Sequence, residues 1–145
     1  MTRRLGSLAI GLAAVCVVAG VATGARPPVT TGAGVYNAGQ AEEGAQVYAQ
    51  RCAMCHGSML GGTFETPGLT GKFIANWSRR PLGDLYDYVG RAMPQFAPGT
   101  LTPADDARLM AFLLKANGMP AGAAPLPADS GALHAIILEP AGAPK

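Results

Sequence analysis

The chain has 145 residues, 49% of them hydrophobic and 14% charged, with 11 basic against 9 acidic residues and a formal charge of +2. That length suits one domain and excludes a barrel enzyme or a two-domain dehydrogenase. The basic residues are scattered, which excludes a nucleic-acid-binding stripe.

Met1–Arg4 form a short basic start, and Leu5–Ala25 carry no charge. The run ends in Ala22-Thr23-Gly24-Ala25, before Arg26-Pro27-Pro28. This order of basic, apolar and small residues predicts a secretory signal peptide over 1–25, cleaved near Gly24 or Ala25. The alternative is an uncleaved N-terminal anchor, because the 21 uncharged residues are long enough to span a bilayer. Cys16 sits inside the apolar run, where it does not open a polar mature chain as a lipid-anchored cysteine would. Export makes the expected location the periplasm, with membrane contact only if residues 5–25 are retained. In an oxidising space, Cys52 and Cys55 must be bridged or otherwise consumed.

Residues 26–39 are rich in Gly, Pro and Thr, have no helical period, and are expected to form a flexible arm. A helix is expected over Gln40–Arg51, with Glu42 and Glu43 in its first turn. Its apolar face runs Ala41, Ala45, Val47, Tyr48 and Cys52, and Gly44 leaves a notch one turn before Tyr48. Gly57–Lys72 has loop composition. Leu82, Leu85, Tyr86 and Val89 recur at helical spacing and predict a short helix over 82–91, which Pro94 cannot continue. The best-marked helix is Pro103–Ala116, with Thr102 as N-cap, Pro103 at its first position and Asp105-Asp106 in its first turn. Asn117-Gly118 and Pro120 end it. The expected domain is therefore 40–119, with 120–145 as an Ala/Pro/Gly-rich C-terminal extension. A chain of three short helices and long loops buries little apolar surface, so something else is expected to complete its core.

Cys52-Ala53-Met54-Cys55-His56 matches C-x-x-C-H, the attachment pattern of c-type haem. Two thiols three residues apart can each form a thioether with one vinyl group, and the adjacent His then serves as proximal iron ligand. Three other readings compete. A thioredoxin-like redox pair needs a βαβ pattern that the flanks lack. A zinc site needs more ligands, and only His134 remains. A Cys52–Cys55 disulfide leaves His56 unexplained. Among the methionines, Met54 and Met59 lie too close to the motif to loop to the distal face, Met110 fits a core position and Met119 a cap contact. Met93, 37 residues beyond His56 and at the start of a Pro/Gly loop, is the expected distal ligand. The alternative for Met93 is a buried loop residue without iron contact.

On these residues the chain resembles a class I cytochrome c, over about 40–140. The stretches ETPGLTGKFIANW (65–77) and LGDLYDYVGRAMPQFAPGTLTPADDARLMAFLLKANGMPAG (82–122) resemble, more narrowly, the monohaem cytochromes associated with periplasmic quinoprotein dehydrogenases. The resemblance implies an all-α class I cytochrome c fold, with three to four short helices around one covalently bound haem c. It implies Cys52 and Cys55 as thioether sites, and His56 and Met93 as proximal and distal iron ligands. It also implies Pro67 as the residue whose carbonyl accepts the proximal imidazole N–H. Gly44 and Tyr48 match the contact where the first helix crosses the last. Trp77 matches a position near the propionates, with a packed aromatic as the alternative. Asp105-Asp106-Ala107 departs from the family, which often has an aromatic there. No quinoprotein propeller is present in the chain.

The implied function is electron transfer rather than catalysis. A periplasmic dehydrogenase would be the donor, and a terminal oxidase or another cytochrome the acceptor. The alternatives are a membrane-anchored subunit of a dehydrogenase complex and a five-coordinate haem enzyme or sensor.

Overall fold

Asn37, in extended backbone, accepts a hydrogen bond on its Oδ1 from the Gln40 amide at 2.8 Å and caps helix α1, Ala38–Arg51. The computed structural model describes residues 28–142; the expected export signal lies outside them. The cap places the start of α1 two residues before the Gln40 expected from the apolar spacing, which shifts Glu42 and Glu43 out of the first turn. A one-turn helix, α2, Ala53–His56, follows almost at once. Then come α3, Lys72–Trp77, and α4, Leu82–Ala92. Helix α5, Pro103–Ala116, has the boundaries its sequence signals dictate. Thr102 Oγ1 accepts from the Asp105 amide at 3.1 Å, and Gly118 leaves the helix at a φ of +81°. Helix α6, Ser130–His134, comes last.

The described residues thus hold six helices rather than three to four. The three helices not marked in the sequence, α2, α3 and α6, have four, six and five residues, too short for the 3.6-residue pattern to register. The architecture is all-α apart from two short strands, β1, Val29–Thr30, and β2, Ile136–Ile137, which pair in parallel with Val29 opposite Ile136.

Helices α1 and α5 cross at Gly44. A Cβ there would lie 1.9 Å from the Arg108 carbonyl oxygen, so only glycine permits this approach. One turn on, the Tyr48 and Phe112 rings meet with centroids 5.1 Å apart, and Tyr48 donates its hydroxyl to the Gly57 carbonyl at 2.6 Å.

The described parts of the segments expected to be a flexible arm and an extension, residues 28–39 and 120–142, contribute to the same core. Thr31 is fully buried; its hydroxyl donates to the Glu139 carbonyl at 3.0 Å and accepts from the Glu139 amide at 2.9 Å. Tyr36 is buried and donates to the Met119 carbonyl at 2.7 Å. The Gln40 side chain brackets Leu126, donating to its carbonyl and accepting from its amide. Leu126, Leu133, Ile136 and Leu138 are buried with the helical core. Such burial contributes about 1.5–3 kcal/mol for each large apolar side chain. The missing periodicity that suggested a linker reflects irregular backbone held by long-range contacts. The core thus extends well beyond 119.

Candidate cofactor site

Cys52 ends α1, and its carbonyl accepts from the His56 amide at 2.9 Å, so the backbone turns straight into α2. This turn puts Cys52, Cys55 and His56 on the lining of one cavity of about 730 Å³. That volume falls in the range of about 300–1,000 Å³ usual for cofactor pockets. Leu69, Phe73, Val89, Leu109 and Leu113 supply apolar wall. Arg51, Glu65 and Lys72 supply charged groups.

The loop after α2 returns to the motif through backbone contacts. The Gly62 amide donates to the His56 carbonyl at 2.8 Å, and the Leu69 amide to the Leu60 carbonyl at 2.8 Å. The return sets the Pro67 carbonyl 2.9 Å from His56 Nδ1. A carbonyl only accepts, so Nδ1 carries the proton and Nε2 is the ring nitrogen with a free lone pair. Met93 stands where α4 ends. Its amide still donates to the Val89 carbonyl, but its φ of −121° has left the helix, and its side chain lines the cavity.

All six residues singled out from the sequence, Cys52, Cys55, His56, Pro67, Trp77 and Met93, line this one cavity. Among the described methionines only Met93 does so. Met54 and Met59 are 77% and 85% exposed, whereas Met110 and Met119 are buried in the core. His134 lies apart, with its Nε2 3.3 Å from Asp84 and 3.8 Å from Asp87. Trp77 packs against Tyr88, with centroids 5.5 Å apart, and Arg80 lies 4.7 Å over its ring. It is therefore a packed aromatic that also faces the cavity. Burial pushes the Cys52 thiol up to about 11, so it stays protonated at neutral pH.

The sequence reading missed Leu109 and Leu113 as cavity wall; their i, i+4 spacing on α5 was the available signal. It also missed Asp106, read only as a first-turn acid. Asp106 lies one turn before Leu109, on the same stripe, and is 2% exposed.

The donor set fits a c-type haem. It comprises two thiols at thioether spacing, an imidazole oriented by a backbone acceptor, a thioether sulfur from another element, and apolar walls. Among the described residues no cluster of three or more His, Cys, Asp or Glu could by itself hold a metal ion. No described helix is long and apolar enough to cross a membrane.

The family model described as cytochrome c oxidase, cbb3-type, subunit III, matches residues 39–113. A thiosulfate dehydrogenase of Stutzerimonas stutzeri (strain A1501) is 31% identical over an alignment of 78 residues, with coverage of 49% of this chain and 25% of that protein. The chain thus spans about a quarter of the curated relative it matches. The crystal structure of the sulfane dehydrogenase SoxCD from Paracoccus pantotrophus aligns with a TM-score of 0.47 at 25% identity, over 77% of this chain and 60% of that one.

Proposed function

The chain belongs to the c-type cytochrome family described as cytochrome c oxidase, cbb3-type, subunit III, and from that premise we propose that it is a periplasmic carrier of single electrons. Membership implies a haem c cofactor and electron transfer. The finer reading is one haem, joined through thioethers at Cys52 and Cys55, with His56 and Met93 as its two axial ligands. The observation that carries it is the single cavity on which His56, Met93 and both cysteines converge.

When bound, the haem supplies a one-electron ferric/ferrous couple. The chain's own residues do the rest. His56 presents Nε2 because Pro67 holds its Nδ1 proton, an arrangement that fixes the ring and raises its basicity. Met93 would take the second axial position, which leaves no place for a substrate and favours a raised potential. The apolar walls from α4 and α5 keep water away and so keep reorganisation small. Trp77 is proposed to donate its indole N–H at the propionate end.

The donor is proposed to be a periplasmic dehydrogenase, and the acceptor an oxidase or another cytochrome. The resemblance of residues 65–77 and 82–122 favours a donor of quinoprotein type. The match to part of a thiosulfate dehydrogenase favours, as a second reading, a donor that oxidises sulfur compounds.

Mass spectrometry of the exported protein tests the cofactor assignment. The expected result is a chain that lacks 1–25 and carries a single haem on the peptide containing Cys52 and Cys55. Free or disulfide-bonded thiols at these positions would contradict it, and retention of Arg3 and Arg4 would favour the anchored form. Reduction by the two donor types separates the quinoprotein reading from the sulfur one.

A further inference from the structure

Asp106 is the one charged-type residue among the buried side chains of the described core. It sits one turn before Leu109 on α5, with Leu113 further along the same stripe, and both leucines wall the cavity. Helix α4 passes it at Gly90, next to the cavity residue Val89. A Cβ on Gly90 would lie 2.8 Å from Asp106 Oδ2, so the missing side chain is what leaves room for the carboxyl. Asp106 Oδ1 is buried without a hydrogen-bond partner. Among the described residues, no Lys, Arg or His forms an ion pair with it. A buried carboxylate with an orphaned oxygen and no counter-charge is costly, and taking up a proton relieves that cost.

The titratable groups around it favour the same outcome. From α4, Asp87 adds a like charge, and the Tyr86 phenol, which donates to the Pro103 carbonyl at 3.2 Å, is itself raised by burial first and by Asp106 next among its charged neighbours. From the end of α1, the Cys52 thiol feels the Asp106 charge, and in the haem-bearing chain it would no longer titrate. The neighbouring Arg51 is turned to Thr100. On α5 itself, Arg108 is taken up by Glu43 and Asp105. Burial, with Asp87 second, pushes the Asp106 carboxyl up to about 7.

We propose that Asp106 is a proton site coupled to the electron held in the cavity, so that the protein takes up electron and proton together. The inference rests on the reading of the cavity as a haem site. With a haem bound, the cavity would hold the one electron that the donor protein gives up, while the Asp106 carboxylate would take one proton from the solvent. When the acceptor protein withdraws the electron, the proton would return to the solvent. The physical link is that an added electron behind the Leu109 wall makes a second negative charge on Asp106 less favourable.

Equilibrium redox titration of the haem-bearing protein at pH values on either side of 7 reads this coupling. The midpoint potential is expected to fall as pH rises through that window, and Asp106→Asn is expected to abolish the fall there. An equal slope in Asp106→Asn overturns the proton site. Reduced-minus-oxidised infrared spectra of the unmodified holoprotein give a readout that does not depend on the variant folding. A protonated-carboxyl band is expected to appear on reduction, and its absence overturns the coupling. A chain that matures without haem overturns both the cavity reading and this inference. A haem-bearing chain with a pH-independent potential overturns the proton site alone.

Discussion

His56 Nδ1 lies 2.9 Å from the Pro67 carbonyl oxygen, which accepts its N–H. The acceptor is a backbone atom, so the imidazole is oriented by the path of the 57–71 loop rather than by another side chain. That path is set by backbone hydrogen bonds and by tight approaches, such as Gly62, whose Cβ would meet the Thr66 carbonyl oxygen at 2.3 Å. The position of Nε2, the proposed ligand nitrogen, is therefore tied to how the loop seats on the α1–α5 pair.

Gly44→Ala tests that pair. The new methyl meets backbone at Arg108, which has no rotamer by which to yield, so the helices must part. The expected loss is about 1–3 kcal/mol or more, read as a lower denaturant midpoint with an unchanged slope. An unchanged midpoint would show that the crossing is looser than described.

Leu138→Ala tests the part played by the C-terminal segment. Leu138 is fully buried, and its backbone pairs with Arg79 and Arg80 at 2.8 and 2.9 Å. The expected cost is about 2–5 kcal/mol in denaturant unfolding. A near-neutral result would make residues 120–142 an appendage after all.

Asp106 gives stability a pH dependence of definite sign. Its carboxyl titrates at about 7 in the fold against an ordinary 3.8. Between those values the native state binds more protons than the unfolded chain, so stability falls as pH rises. The change across the window is of order 4 kcal/mol. Asp106→Asn should flatten this part of the profile and should be more stable than the unmodified chain above pH 7. Urea unfolding across the window checks both points.

His134 acts with its own sign. Its ring N–H bonded to the Ser130 carbonyl, and then the Asp87 and Asp84 charges, raise it above the ordinary 6.5. The imidazolium ties α6 to α4 over Gly83, where a Cβ would lie 2.1 Å from the ring. The contribution is complete below the ordinary histidine value and is lost as pH rises through the raised one. Amide exchange in α6, corrected for intrinsic rates, should quicken over that rise, and His134→Gln should show no such step.

What the sequence revealed follows from chemistry. Cys52, Cys55 and His56 form a pattern with few other uses, and Thr102, Pro103 and Gly118 mark α5 by side-chain and backbone preferences that act locally. Met93 was reached by elimination, because nothing about a loop methionine announces which way its sulfur faces. Pro67 was available only through the family resemblance, since a carbonyl oxygen carries no side-chain signature. Residues 26–39 and 120–145 read as arm and extension because contacts such as Thr31 with Glu139, 108 residues apart, leave no periodic trace. Asp106 did carry a signal, an acid on the stripe of Leu109 and Leu113, but its place in the first turn of α5 supplied a simpler explanation.

The central claim is that one cavity closes both axial positions of a haem with His56 and Met93. The visible spectrum of the ferric holoprotein and of Met93→Ala tests it most directly. The weak absorption at the red end that marks sulfur ligation should be present in the unmodified protein and lost in the variant, with the Soret band retained in both. A high-spin spectrum in the unmodified protein, or a red-end band that survives Met93→Ala, would contradict the account.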